Sequence, residues 1–143
     1  MKTKILGKNS YDKTLIGKKI LDEIKREKSN IKYGMDIWNV YDFLYLDKSK
    51  MPKLKILEIT IPSSSPYTIE SKSMKLYLNG FYKKSFKIDG DVIDKIKKDI
   101  ETIVKSTIKI KFIKKFSEEP KSINLNKLTA IRSKTKTVLK FNG

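Results

Sequence analysis

The chain has 143 residues, and its composition fits one globular domain, because 38% of the residues are hydrophobic and 34% are charged. It contains no cysteine and no histidine. These residues alone therefore cannot build a disulfide, a thiolate nucleophile or a typical zinc site. No apolar run is long enough to span a bilayer, and the N-terminal stretch lacks the apolar segment of a secretory signal. The composition predicts a cytoplasmic protein without a membrane segment or a bound metal.

The net charge of +17 allows two interpretations. A strongly basic surface can neutralise phosphates and so bind nucleic acid. However, only Arg26 and Arg132 are arginines, whereas nucleic-acid surfaces often use arginine for bidentate contacts. Lysine and isoleucine are also the residues that A+T-rich codons favour. We therefore expect no direct nucleic-acid partner, and a small basic RNA-binding module is the alternative.

Residues 1–34 are polar and basic, and we expect them to form an N-terminal arm. Apolar residues within 15–30 permit a short helix. Gly17 disfavours that helix, so the sequence predicts an irregular lead-in.

Two segments rich in aromatic and β-branched residues follow the arm. They are DIWNVYDFLYLD (36–47) and KLKILEITIP (53–62), with a turn between them. We expect an antiparallel hairpin from about 36 to 61. Regular alternation would place Phe43 and Tyr45 on one face of the first strand together with the other odd-numbered residues.

A helical pattern begins near residue 70 and ends at KIDGD (87–91). A second amphipathic pattern at 92–106 predicts another helix, with Asp89 or Asp91 as its N-cap.

The segment TIKIKFIKKF (107–116) alternates apolar and basic residues, which predicts a strand with one solvated face. VLKF (138–141) could form a last strand. The order β-β-α-α-β, with that strand as an extension, is typical of an α+β fold. We expect a single module over 35–143, whose part beyond about residue 117 is uncertain or truncated.

The stretch ESKSMKLY (70–77) opens the first predicted helix and brings several polar side chains together. Helix N-termini attract anions. Ser71 and Ser73 would add hydroxyl donors, and Lys72 and Lys75 would add positive charge suited to phosphate. Glu70 does not suit phosphate; its carboxylate is an acceptor for the paired N–H groups of a guanine-like edge. The same residues also fit an ordinary charged first turn that binds no ligand.

The stretch ESKSMKLYLNGF resembles the signature of the 7-cyano-7-deazaguanine reductase (QueF) family. That signature reads Glu, Ser or Leu, Lys, Ser or Ala, any residue, Lys, Leu or Tyr, then an aromatic residue; residues 70–77 match every defined position. LGKNSYDKTL (6–15) and GMDIWNVYDFLYLDKSKMPKL (34–54) resemble the N-terminal module of two-module members, so the resemblance covers about 6–116. It implies a tunnelling fold (T-fold), an antiparallel sheet with two helices on one face.

The resemblance also implies an activity and a set of site residues. The activity is the NADPH-dependent reduction of 7-cyano-7-deazaguanine to 7-aminomethyl-7-deazaguanine, on the route to the tRNA nucleoside queuosine. By position in the signature, Ile69, Glu70 and Ser71 would bind the deazaguanine, and Ser71, Lys72 and Lys75 would bind NADPH.

The residues that perform the family's chemistry are missing from this sequence. The reaction uses a cysteine nucleophile, an aspartate proton donor and a His-Glu pair, which two-module members carry in their C-terminal module. This chain has neither Cys nor His. We expect either that a partner chain supplies the catalytic module or that the gene is a shortened remnant, inactive alone. Self-association into a homo-oligomer would rebuild a tunnel without the thiol. A structural module that completes a partner's sheet is a further alternative.

Overall fold

The computed structural model describes residues 16–27 and 33–114, and these residues form an α+β fold. The elements in chain order are a 3₁₀ helix (Gly17–Ile20), β1 (Glu23–Lys25), β2 (Met35–Leu46), β3 (Pro52–Pro62), β4 (Tyr67–Ile69), α1 (Ser71–Asn79), α2 (Asp89–Val104) and β5 (Lys109–Ile113). The predicted order of a hairpin, two helices and a strand is confirmed.

The main sheet is antiparallel with the strand order β2-β3-β5. Its hairpin turn is organised by Asp47, whose Oδ1 accepts the backbone N–H groups of Ser49 at 2.8 Å and Met51 at 3.0 Å. Lys50 adopts φ of 63° in this turn. A short polar side chain that folds back onto its own backbone is what such a turn requires.

The regular alternation that we expected along β2 is wrong, because the pairing register shifts between Val40 and Phe43. An extra residue in a strand reverses which positions face the core. Trp38 and Val40 pack on the core before the shift, and Phe43 and Tyr45 are buried after it. Apolar residues occupy both faces of this strand, which is why the sequence pattern does not reveal the bulge.

The core lies between the main sheet and the two helices. α1 contributes Met74, Tyr77 and Leu78, and α2 contributes an apolar stripe at helical spacing. Residues less than 2% exposed include Tyr45, Leu57, Ile59, Ile61, Phe81, Val92, Ile96, Ile100 and Val104.

A buried polar contact ties the helices together. The Tyr77 hydroxyl donates to Asp99 Oδ2 at 2.8 Å, and Lys95 Nζ lies 2.5 Å from the same oxygen. Burial, followed by the hydrogen bond to Asp99, raises the pKa of Tyr77 far above its ordinary value. The phenol therefore stays neutral and donates to a nearly buried carboxylate.

The lead-in segment is more ordered than the sequence predicted. Residues Glu23–Lys25 pair antiparallel with Tyr67–Ile69 as a separate two-stranded sheet. Leu21 just before them is 1% exposed and belongs to the core. Burial of this leucine provides the physical reason for the order, since a free arm would leave it in water.

The predicted N-cap of α2 is also wrong. The helix begins at Asp89, with Ile88 at the N-cap position. Asp91 accepts the Ile88 backbone N–H at 3.4 Å. The Asp89 carboxylate instead accepts from the Tyr45 hydroxyl at 2.5 Å and lies 2.9 Å from Lys55 Nζ.

Two expectations lie outside the described residues: the last strand at 138–141 and the state of the chain beyond residue 117. The boundary between an arm at 1–34 and a module from residue 35 stays a prediction. Within the described ranges, no helix combines the length and apolarity needed to cross a membrane.

Candidate functional site at the start of α1

Glu70 is the N-cap of α1, and its carboxylate is held inside the protein. Oε1 accepts the Lys72 N–H at 2.7 Å, and Oε2 accepts the Ser73 N–H at 2.8 Å. The Ser71 hydroxyl donates to Oε1 at 3.3 Å. Glu70 is only 1% exposed. The predicted substrate acceptor is thus already a structural acceptor in this state of the molecule.

The Glu70 carboxylate can still accept a further hydrogen bond while it caps the helix. Each carboxylate oxygen offers about two acceptor positions. In the contacts above, Oε1 uses both, whereas Oε2 uses one. Glutamate is also not among the usual N-cap residues, which are Ser, Thr, Asp and Asn. A longer carboxylate at this position satisfies the helix while keeping an acceptor close to its first turn.

Two hydrogen bonds fasten the lead-in segment to the start of α1, and a third bond within the first turn of α1 supports them; we call this group the clasp. The Glu70 N–H donates to the Asp22 carbonyl at 2.9 Å, and the Asp22 N–H donates to Ser73 Oγ at 3.0 Å. Ser73 Oγ in turn donates to the Glu70 carbonyl at 2.8 Å. Ser73 is fully buried. The clasp therefore fixes the backbone on both sides of the Glu70 side chain.

The other predicted site residues divide between the core and the surface. Ile69 ends β4 and is 2% exposed, so its side chain packs in the core. Ser71, Lys72 and Lys75 are exposed on the first turns of α1. The structure thus brings a hydroxyl and two ammonium groups to the surface beside a buried carboxylate.

A groove runs between β2 and α1 next to these exposed residues. Its volume is about 200 Å³, and Ser71 and Lys75 line it together with Trp38 and Met74. An adjoining cavity of about 330 Å³ continues it toward Tyr82. The two share Val40, Asp42, Leu78 and Asn79. The walls are largely apolar, with polar residues such as Ser71, Lys75 and Asp42 among those that line them.

Trp38 carries an unusual feature beside this groove. Its Nε1 is buried and, among the described residues, has no hydrogen-bond acceptor. Buried donors are nearly always paired, because leaving one unpaired costs about 1–3 kcal/mol. Neither Trp38 nor Asp22 was predicted as a site residue. Ser73 was expected to offer its hydroxyl to an anion, but the residue is buried and this hydroxyl donates to the Glu70 carbonyl. A sequence signal existed for Trp38, which is the single tryptophan of the chain; none existed for Asp22, which acts through its backbone.

Comparison with known proteins agrees with this architecture. The family profile described as "Nitrile reductase, 7-cyano-7-deazaguanine-reductase N-term" matches residues 8–112. The fold, an antiparallel sheet with two helices, is that expected for a T-fold module of this kind.

Curated relatives carry the same description. The chain is 32% identical over 114 residues to the NADPH-dependent 7-cyano-7-deazaguanine reductase of Acinetobacter baylyi, a match covering 74% of this chain and 42% of that protein. It is 37% identical over 101 residues to the same enzyme of Bordetella avium, covering 66% of this chain and 37% of the relative. A relative from Coxiella burnetii is 36% identical over 88 residues, 62% of this chain and 32% of its own length.

These matches account for most of the described residues, while the chain spans less than half the length of the curated relatives it matches. The match over residues 8–112 includes the signature at 70–77, the clasp and the groove. The chain therefore belongs to the family of the N-terminal part of the nitrile reductases that act as 7-cyano-7-deazaguanine reductases.

Proposed function

We propose that this chain provides the substrate- and cofactor-binding module of an NADPH-dependent 7-cyano-7-deazaguanine reductase. The product would be 7-aminomethyl-7-deazaguanine, used in the cytoplasm for queuosine in tRNA. One observation supports this most directly: the signature residues lie together at the first turns of α1, with Glu70 held by the cap and Ser71, Lys72 and Lys75 exposed beside it.

On the substrate side, Glu70 would accept an N–H group of the deazaguanine. Oε2 retains one acceptor position, and Ser71 can release its hydroxyl from Oε1 because that bond is long, at 3.3 Å. Recognition of paired N–H donors thus requires the Ser71 hydroxyl to turn from Glu70 toward the ligand. Ile69, which is buried, would shape the floor of the site through its backbone and its packing.

NADPH, which supplies the hydride, fits the exposed side of the same turn. The Glu70 carboxylate already takes the N–H groups of Lys72 and Ser73, so these two cannot also cradle a phosphate. Phosphate binding would instead depend on the side chains of Ser71, Lys72 and Lys75. An ammonium on a flexible stem suits a phosphate as a point charge.

The reacting thiol would come from residues outside this sequence, since the sequence contains no cysteine. A partner chain, further residues of the same polypeptide or a mixed oligomer could carry it, together with the proton donor. For every hydride added to the nitrile carbon, a proton must reach the nitrogen. In this proposal the residues of this chain bind and orient the deazaguanine and NADPH. The module that carries the thiol and the proton donor performs the reaction.

Calorimetric titration with NADPH tests the cofactor part of the proposal. We expect Lys72→Ala and Lys75→Ala each to weaken binding about tenfold, the effect of losing one charge-assisted hydrogen bond. Lys83→Ala is the matched control, because Lys83 is an exposed lysine beyond the end of α1, against the ring of Tyr82. Equal affinities for all three variants would contradict the assignment and indicate plain charge attraction.

A further inference from the structure

The groove between β2 and α1 has the size and lining of a subsite rather than of a complete dinucleotide pocket. Pockets that enclose a whole drug-sized ligand measure about 300–1,000 Å³. The groove without its adjoining cavity measures about 200 Å³. Trp38 and Val40 form the strand wall, and Met74 and Leu78 form the helix wall. An apolar slot of this kind suits a flat heteroaromatic ring.

The polar groups around the slot restrict which ring it takes. Ser71 and Lys75 line it from α1, which suits a phosphate next to the ring. The buried indole N–H of Trp38 lacks an acceptor among the described residues. A ligand carbonyl would supply that acceptor. Because Nε1 is enclosed, the indole must turn toward the groove when the ligand enters, so that ligand binding and ring rotation are coupled.

Asp42 distinguishes the two ends of NADPH. It lines both the groove and the adjoining cavity at the β2 bulge. A carboxylate pairs well with the hydroxyl groups of an unmodified ribose. It repels a ribose that carries a 2′-phosphate, since two negative charges would lie close together.

We propose that this groove binds the nicotinamide nucleotide half of NADPH, with Trp38 donating its indole N–H to the carboxamide oxygen. The assignment rests on the proposed function and deepens it by separating the two halves of the cofactor. The reduced ring would lie between Trp38 and Met74, its ribose near Asp42 and its phosphate near Ser71 and Lys75. The adenosine half, with its 2′-phosphate, would lie outside the groove.

Nuclear magnetic resonance tests this directly, because Trp38 is the single tryptophan and gives one indole N–H signal. The ¹⁵N-labelled chain is titrated with NADPH, with reduced nicotinamide mononucleotide and with adenosine 2′,5′-bisphosphate. We expect the first two ligands to shift the indole signal downfield, as a new hydrogen bond does, and the third to leave it unchanged. We expect Trp38→Phe to lower the affinity for NADPH about five- to tenfold and to leave the affinity for adenosine 2′,5′-bisphosphate unchanged.

Phe86→Leu is the control for a general loss of packing. Phe86 is another partly buried aromatic residue on the core, and it lines neither cavity. A general loss of packing, as in Phe86→Leu, would lower the affinities for NADPH and for adenosine 2′,5′-bisphosphate equally. If Trp38→Phe does the same, Trp38 has only a structural role. If NADPH binds by calorimetry while the indole signal stays in place, the subsite is wrong and the proposed function stands. If 7-cyano-7-deazaguanine alone shifts the signal, the groove is the substrate site instead. If NADPH does not bind at all, both proposals fall.

Discussion

At the scale of single residues, the Glu70 carboxylate has one observed role, as the N-cap of α1, and one proposed role, as an acceptor for the substrate. Its oxygens accept the N–H groups of Lys72 and Ser73, and in our proposal it also accepts an N–H group of the substrate. A carboxylate that is 1% exposed loses little entropy when a ligand arrives, because the cap has already fixed its position. The cap thus preorganises the acceptor, and the Ser71 hydroxyl is the movable contact.

Tyr77 gives a prediction about alkaline stability. Its pKa in the folded chain is raised by burial and by the hydrogen bond to Asp99, above the value of about 10 in an unfolded chain. The neutral phenol therefore contributes stability that is fully present below about pH 10 and is lost as the pH rises above it. We expect Tyr77→Phe to make the free energy of unfolding fall less steeply above about pH 10.

Urea unfolding at about pH 8 and about pH 11 measures this difference. At the lower pH, Tyr77→Phe should cost about 1–3 kcal/mol, because Asp99 loses a buried donor. Tyr82→Phe is the control, since Tyr82 is 49% exposed. If Tyr77→Phe and Tyr82→Phe both keep the wild-type dependence on pH, the account of Tyr77 is wrong.

At the scale of elements, the clasp attaches the lead-in segment to the candidate site at the start of α1. Ser73→Ala would remove the buried hydroxyl that accepts the Asp22 N–H and donates to the Glu70 carbonyl, and we expect a loss of about 1–3 kcal/mol in the free energy of unfolding. Ser71→Ala removes a weaker, exposed contact, and we expect less than about 0.5 kcal/mol.

Ser73→Ala should cost more stability than Ser71→Ala, but Ser71→Ala should cost more ligand affinity. Ser71→Ala should weaken the binding of 7-cyano-7-deazaguanine, whereas Ser73→Ala should preserve it at temperatures where the chain is folded. Thermal unfolding followed by titration calorimetry on both variants provides the comparison. Equal stability losses for Ser71→Ala and Ser73→Ala would mean that the clasp does not hold the start of α1.

The sequence predicts those elements whose pattern repeats. The hairpin and both helices follow from strand and helix periodicity. The register shift at Val40/Phe43 does not, because both faces of β2 are apolar. The Glu70 cap and the clasp depend on backbone groups of Asp22 and on a residue type that rarely caps helices. The clasp joins residues about fifty positions apart, which local preferences do not encode. The cap is local, but residue preferences do not favour glutamate at that position.

At the scale of the whole molecule, the chain carries the residues proposed to bind the ligands, and its sequence contains no cysteine. The signature residues could be predicted as a group from residues 70–77, and the structure places Glu70 and Ile69 inside and Ser71, Lys72 and Lys75 outside. The groove with Trp38 could not, since β2 and α1 are far apart in the sequence. The proposed site residues therefore lie together in a chain that covers less than half of its relatives.

The central claim is that the start of α1 binds 7-cyano-7-deazaguanine through Glu70, and titration calorimetry tests it most directly. The titration compares the wild-type chain with Glu70→Asp, which retains a preferred N-cap carboxylate but withdraws it by one methylene. Glu70→Ala, which should cost about 0.5–2 kcal/mol of stability, separates loss of the cap from loss of recognition. The account predicts that the wild type binds, and that Glu70→Asp unfolds like the wild type but binds at least about tenfold more weakly. A folded wild-type chain that gives no binding heat, or a Glu70→Asp chain that binds as tightly as the wild type, would contradict it.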